Sequence, residues 1–236
     1  MNKWKYIDSG PNFATHNMAV DEELLARVQS GVNIPVLRFY SWDPPAVSLG
    51  RFQKIETAVD VGACKRLGID IVRRITGGRA VLHLHELTYS IVAPLDDPHF
   101  PPTVLGTYKV IAGGLLAGLR NLGIEAEIVS RSGRHAGLVK DNTKGPSCFS
   151  SPSWYEIVIN GKKIVGSAQC RMPRAFLQHG SILIGYDPEL EALVIPGGGA
   201  SACITSIQKE LGRTVSHEEV KLAFRLGFQS SFGVLF

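Results

Sequence analysis

Two β-rich runs, Trp154–Ile159 and Lys163–Ala168, are joined by Asn160-Gly161. An Asn-Gly link takes positive φ at both positions and closes a type I′ turn, whose twist matches that of paired antiparallel strands. The middle of the chain is therefore committed to antiparallel pairing, and Phe176–Ile184 reads as the next strand of the same sheet. Further strand-like runs are Lys3–Asp8, Val36–Tyr40, Ala46–Leu49, Ile69–Ile75, Ala80–Leu84, Leu87–Val92 and Ile124–Val129, with Asp43-Pro44-Pro45 as a turn between the second and third of these. Helical spacing of apolar residues marks Thr15–Gln29, Val59–Leu67, Val104–Leu122 and Asp187–Leu193. A last helix starts at the capping box Ser216-His217-Glu218-Glu219, followed by Val220, Phe224 and Phe228. Strands outnumber helices and several are consecutive. That pattern predicts an α+β fold with a mixed, largely antiparallel sheet flanked by helices, not a doubly wound parallel sheet.

Composition narrows the function classes. With 44% apolar residues in 236, the chain can bury a substantial core. A net charge of +4 is far from the dense positive charge of a nucleic-acid binder, so no nucleic-acid partner is expected. No apolar run is long enough to cross a bilayer. Met1-Asn2-Lys3-Trp4-Lys5 lacks the apolar stretch of a leader peptide, so a cytoplasmic location without membrane attachment is expected. The four cysteines, Cys64, Cys148, Cys170 and Cys203, form no C-x-x-C pair and read as free thiols. Neither a Walker A sequence nor a G-x-G-x-x-G after a strand is present, which argues against the common nucleotide-loop enzymes. His83 and His85 would share one side of a strand, but no third ligand follows at useful spacing. A hydrogen-bonded pocket histidine is the expectation there, with no metal and no cofactor.

Three places carry chemistry. Arg73 through His83 encloses Thr76-Gly77-Gly78, a turn where the backbone can approach a ligand closely, flanked by arginines able to hold an anionic group. Residues 130–152 have little apolar periodicity and read as a long mobile loop of functional type. That loop carries Cys148 near Lys144, a setting that favours the thiolate. From the residues alone, an inert exposed thiol is an equal reading. Lys163, at the start of the second hairpin strand and followed by Gly166-Ser167-Ala168, is placed to polarise a carbonyl. A solvated hairpin lysine is the competing reading. Cys170 and Cys203 read as filler.

Taken together, four segments in order resemble the lipoate-protein ligase / biotin-protein ligase family, and within it the cysteine-dependent octanoyltransferase branch. They are Arg38–Trp42 with Pro44–Gln53, Arg73–His83 with Glu86–Ser90, Cys148-Phe149 with Pro152–Glu156, and Lys163–Gln169 with Leu177–Ser181. The resemblance implies the biotin/lipoate-protein ligase fold, shared with class II synthetases, as a single catalytic domain over residues 1–236. It implies an acyl chain bound by Arg73, Gly77, Gly78, His83, Gly166, Ser167, Ala168 and His179. It implies Cys148 as nucleophile and Lys163 on the acyl carbonyl. The implied donor is octanoyl–acyl carrier protein, and the implied acceptor a lysine of a lipoyl domain or of the glycine cleavage H protein. The basic residues Arg131, Arg134, Lys140 and Lys144 would steer the acidic donor. Departures matter too: Arg79 stands where the ligases usually have a third glycine, Leu84 where the family often has Asp, and the Cys148 loop where ligases show an Arg-Asn-Asp-like segment. Arg79 and the Cys148 loop favour a route without ATP. The alternatives are an ATP-dependent lipoate ligase, an octanoyl amidotransferase between lipoyl proteins, and a ligand-sensing module. The last would be expected to carry a helix-turn-helix, and none precedes Lys3.

Overall fold

The computed structural model describes residues 4–129, 156–199 and 201–236. The expected loop at 130–152, with Cys148 and the four basic residues assigned to steering, lies outside the described residues.

The strands are β1 Lys5–Asn12, β2 Val36–Trp42, β3 Ala46–Leu49, β4 Asp70–Arg73, β5 Val81–His83, β6 Glu86–Pro94, β7 Glu127–Val129, β8 Glu156–Ile159, β9 Lys162–Arg171 and β10 Ala175–Leu183. The helices are α1 Ala14–Gln29, α2 Ile55–Ala58, α3 Val61–Leu67, α4 Val104–Asn121, α5 Pro188–Val194, α6 Ile207–Leu211 and α7 His217–Phe232. The hairpin turn between β8 and β9 is as expected, with Asn160 at φ 49° and Gly161 at φ 76°. Ser216 caps α7 by accepting from the Glu219 amide at 3.1 Å. α4 stops before Gly123, whose φ of 82° an L side chain rarely adopts.

Seven strands form one sheet in the order β1-β2-β6-β10-β9-β8-β7, and three form a second in the order β4-β3-β5. The first sheet is antiparallel except for the β1–β2 edge pair. The expected mixed, largely antiparallel sheet is therefore present. The sequence reading did not foresee that Ala46–Leu49 leaves the sheet of Val36–Trp42 and founds another, pairing instead with β4 and β5.

One face of the large sheet is apolar. Phe39 and Tyr89 pack, with their rings tilted, against Phe228 of α7 at 6.3 and 6.1 Å between ring centroids. α7 lies against α4 through glycines. A Cβ on Gly114 would come within 2.5 Å of the Phe228 ring, and one on Gly118 within 2.5 Å of the Phe224 ring. The glycines that weaken α4 as an isolated helix thus allow the close approach that buries both phenylalanines completely. Burial on that scale stabilises by about 1.5–3 kcal/mol per ring. The other face of the same sheet bears the polar residues, beside an apolar strip of Val36, Val92 and Leu177 packed on α1, and α1 and the small sheet cover it.

Candidate active site

Register fixes which residues share the polar face. Side chains alternate along a strand, so cross-strand partners line up in rows. Arg38, Ser90, His179 and Ala168 form one row across β2, β6, β10 and β9, and Tyr40, Thr88, Ser181 and Gly166 form the next. Lys163 joins this face through a bulge. Ile157 pairs with Val165 but Val158 pairs with Lys163, so one extra residue, Ile164, lies opposite the pair on β8. Without the bulge, Lys163 would share the face of Val165, which is buried in the apolar core.

A cleft opens between the two rows, α1 and the small sheet. It encloses about 420 Å³ of atom-free space, part of it open to solvent. Its walls include Met18 from α1, Ser48, Arg74, Val81 and His83 from the small sheet, and Gly166–Ala168 with His179–Ser181 from the large one. Of the residues implied by the resemblance, His83, Gly166, Ser167, Ala168 and His179 come together here. Ser167 borders the cleft, although its hydroxyl is 2.7 Å from that of Tyr89. Arg73, Gly77 and Gly78 do not line the cleft. Arg73 donates to the carbonyls of Gly50, Arg51 and Gln53 at 2.8–3.2 Å. The Gly78 carbonyl lies so close to Gly50 that a Cβ there would be 2.0 Å from it. The arginine that reaches the wall is the adjacent Arg74, which donates to the Ser48 carbonyl and hydroxyl and to the carbonyls of Gly77 and Arg79 at 2.7–2.9 Å.

Two buried networks hold the walls. In the first, Asp21 accepts from Arg38 at 2.8 Å, Tyr40 at 2.9 Å and Ser90 at 2.9 Å, and faces Nδ1 of His179 at 3.0 Å. Nε2 of His179 lies 2.7 Å from the Thr76 hydroxyl. Burial lowers the pKa of His179, with Asp21 opposing and Arg74 and His83 assisting. The imidazole is therefore neutral at pH 7, with Nδ1–H donating to Asp21 and Nε2 accepting from Thr76. Burial by itself would raise Asp21, but His179 and Arg38 outweigh it and hold the carboxyl below its usual range. Burial and Asp21 push the Tyr40 phenol well up, so it remains a donor. In the second network, His83 lies between Glu86 at 2.9 Å and Ser48 at 2.7 Å, stacked on Trp42 with ring centroids 4.0 Å apart. Trp42 donates to Glu86 and Thr88. His83 is thus the hydrogen-bonded pocket histidine expected, and no group of three metal-binding side chains occurs among the described residues.

Lys163 is 4% exposed, with Nζ 2.5 Å from the carboxylate of Glu156, which is also buried. This excludes the solvated hairpin lysine. Cys170 and Cys203 are free thiols, and Cys64 is buried in the core of the small sheet with its pKa raised by burial.

Asp21 escaped the sequence reading, Ser48, Glu86 and Glu156 stood in it only as members of the resembling segments, and Arg74 only among the arginines beside the Gly77-Gly78 turn. Asp21 left a trace: it lies at helical spacing between Met18 and Leu25, on the apolar side of α1, where an acid needs buried partners.

The first network has a measurable pH signature. The unfolded histidine, with a pKa of about 6.5, binds a proton before folded His179 does. Its contribution is complete above that value and lost as pH falls through the folded pKa. Asp21, also depressed, contributes fully above about pH 3.9 and loses its contribution as pH falls further. Thermal melts should therefore show two limbs, and His179→Gln should shrink the upper one. His217, lowered by desolvation beside Lys221, leaves a residue of that limb. Identical upper limbs in the two proteins would contradict the assignment.

The lipoyl protein ligase A/B catalytic domain family matches residues 14–229. Octanoyltransferase LipM of Carboxydothermus hydrogenoformans is 42% identical over 246 residues, covering 100% of this chain and 89% of the relative. Octanoyltransferase LipM of Geobacillus kaustophilus is 40% identical over 242 residues, covering 98% of this chain and 87% of the relative. Among solved structures, lipoate-protein ligase A bound with ATP superposes with a TM-score of 0.81 at 26% identity, over 99% of this chain and 87% of that one. The chain belongs to the lipoyl protein ligase A/B catalytic domain family. It is an enzyme of the octanoyltransferase class, the activity that both full-length relatives carry in their names.

Proposed function

We propose that this enzyme takes octanoyl from the thioester of acyl carrier protein onto Cys148 and passes it to a lysine of a lipoyl domain or of the glycine cleavage H protein. The Cys148 thiolate adds to the thioester carbonyl, and collapse of the adduct expels the carrier's phosphopantetheine thiolate. The neutral amine of the acceptor lysine then attacks octanoyl-Cys148, the Cys148 thiolate leaves, and the amine loses a proton. A thioester becomes an amide, so ATP is not consumed. Lys163 stabilises the negative charge that develops on the carbonyl oxygen in both steps. The acyl chain lies along the cleft, with His83, Gly166, Ser167, Ala168 and His179 in its wall; Arg73, Gly77 and Gly78 support that wall from behind through the turns at 50–53 and 76–79. A cytoplasmic location belongs to the same reading, and no helix among the described residues is long and apolar enough to cross a membrane.

The observation that carries this reading is a buried, carboxylate-paired lysine on the sheet face that also forms the cleft. The full-length octanoyltransferase relatives support the acyl group. One observation favours a second reading: a structural relative binds ATP, as an adenylate-forming ligase would.

Intact-protein mass after mixing with octanoyl–acyl carrier protein, without ATP, decides between them. The expected result is a hydroxylamine-labile octanoyl adduct on the wild type that is absent from Cys148→Ala. Acceptor modification that occurs only with free octanoate and ATP would make the enzyme a ligase. Acceptor modification from an octanoylated lipoyl protein, but never from acyl carrier protein, would make it an amidotransferase.

A further inference from the structure

The polar side chains of the cleft wall are almost all turned inward on one another. The Tyr40 hydroxyl is bound to Asp21, and the Trp42 indole to Glu86 and Thr88. Ser48 is shared by Arg74 and His83. Thr88 donates to Glu86, His179 is held from both ring nitrogens, and Ser167 is bound to Tyr89. Among the side chains that line the cleft Ser181 is the exception; Oε2 of Glu86, which also has no partner among the described residues, does not line it. The Ser181 hydroxyl is buried in the wall and has no hydrogen-bond partner among the described residues.

A buried hydroxyl without a partner is uncommon and calls for an explanation. Here the explanation follows from place. Ser181 stands on β10 opposite Gly166 and Thr88, on the polar face of the sheet. The β9 bulge brings Lys163 to that face three residues before Gly166. Gly166, its cross-strand partner, carries no side chain to cover the hydroxyl. The cleft therefore offers a ligand small and apolar surfaces, polar groups already satisfied, and one open hydroxyl. Its complement is an apolar chain with a single hydrogen-bond acceptor.

We infer that Ser181 is a substrate-binding residue whose hydroxyl donates to the carbonyl oxygen of the acyl group. This rests on the acyl-transfer reading for the ligand class, but not on Cys148 or on the donor. It gives the carbonyl a fixed seat on the sheet before any bond is made, so a saturated chain is recognised by its one polar atom. The hydroxyl has no partner to lose among the described residues, so Ser181→Ala leaves the melting temperature unchanged or raises it.

The test measures binding in a Cys148→Ala background, where the thioester is not consumed. S-octanoyl-pantetheine is compared with the thioether S-octyl-pantetheine, which has the same arm without the carbonyl. The parent is expected to prefer the thioester. Ser181→Ala should cut that preference roughly tenfold with the fold intact, and Ser181→Thr should restore it. A preference that survives Ser181→Ala unchanged, or a parent without one, overturns the inference. The octanoyl adduct on wild-type Cys148 is read separately. Its absence alongside a Ser181-dependent preference would remove the proposed route and leave Ser181 in place. Its presence with no Ser181 effect would do the reverse.

Discussion

Replacing Asp21 with alanine is expected to destabilise the protein by about 3–5 kcal/mol, the cost of leaving a buried charge uncompensated. The charge left behind is Arg38, which is 0% exposed and anchored to Asp21 at 2.8 Å. Arg38 would keep its bonds to the carbonyl and side chain of Asn17 and to Ser9, but would lose its anionic partner. Tyr40 and Ser90 would lose their acceptor, and His179 the group that fixes its tautomer. Urea unfolding gives the number. Arg38→Met on the Asp21→Ala background is the informative companion. If the cost comes from the stranded charge, the double variant recovers a large part of it. If Asp21→Ala alone costs less than about 1 kcal/mol, the network does not hold the wall.

How far the sequence reveals this architecture depends on how far apart the interacting residues lie. The Asn160-Gly161 hairpin, the Ser216 cap and the stop at Gly123 are local devices. Their signals lie within four residues, and the structure repeats them. The short helices Ile55–Ala58 and Ile207–Leu211 have too few turns to show a period, and the sequence reading passed over both. The division into two sheets is equally hidden. Val36–Trp42 and Ala46–Leu49 are near neighbours in the chain, and only their distant partners assign them to different sheets. The site follows the same rule. His83, Gly166–Ala168 and His179 sit in motif-like segments, and the cleft gathers them. Asp21, Arg74 and Glu156 gain meaning from burial, and burial is set by packing across 17 residues for Asp21–Arg38 and seven for Glu156–Lys163. Arg73 and Arg74 show the limit most clearly. One residue of strand alternation decides which arginine reaches the cleft wall and which braces a turn behind it.

Lys163 is the second place where one substitution should have a large effect, and here stability and chemistry can be separated. Lys163→Met removes the ammonium while keeping much of the stem. It should lower kcat/KM for octanoyl transfer by roughly 10²–10³-fold, the range for removing one donor to a developing oxyanion. It should also strand Glu156, which is 7% exposed and paired to Lys163 at 2.5 Å. A destabilised enzyme can lose activity without losing chemistry, so the single variant does not identify the role. Adding Glu156→Gln removes the stranded charge. The double variant should regain stability, because a buried pair replaced as a unit costs far less than a broken one. Its kcat should stay low while KM changes little, because the interaction lost is one made chiefly in the transition state. Glu156→Gln alone completes the comparison: it leaves the Lys163 amine in place without its carboxylate partner, so it should cost stability but retain most of the kcat. Activity that follows the melting temperature through all three variants would make Lys163 a structural anchor of the β9 bulge. Activity that follows the ammonium, whatever the stability, would place its charge on the acyl carbonyl.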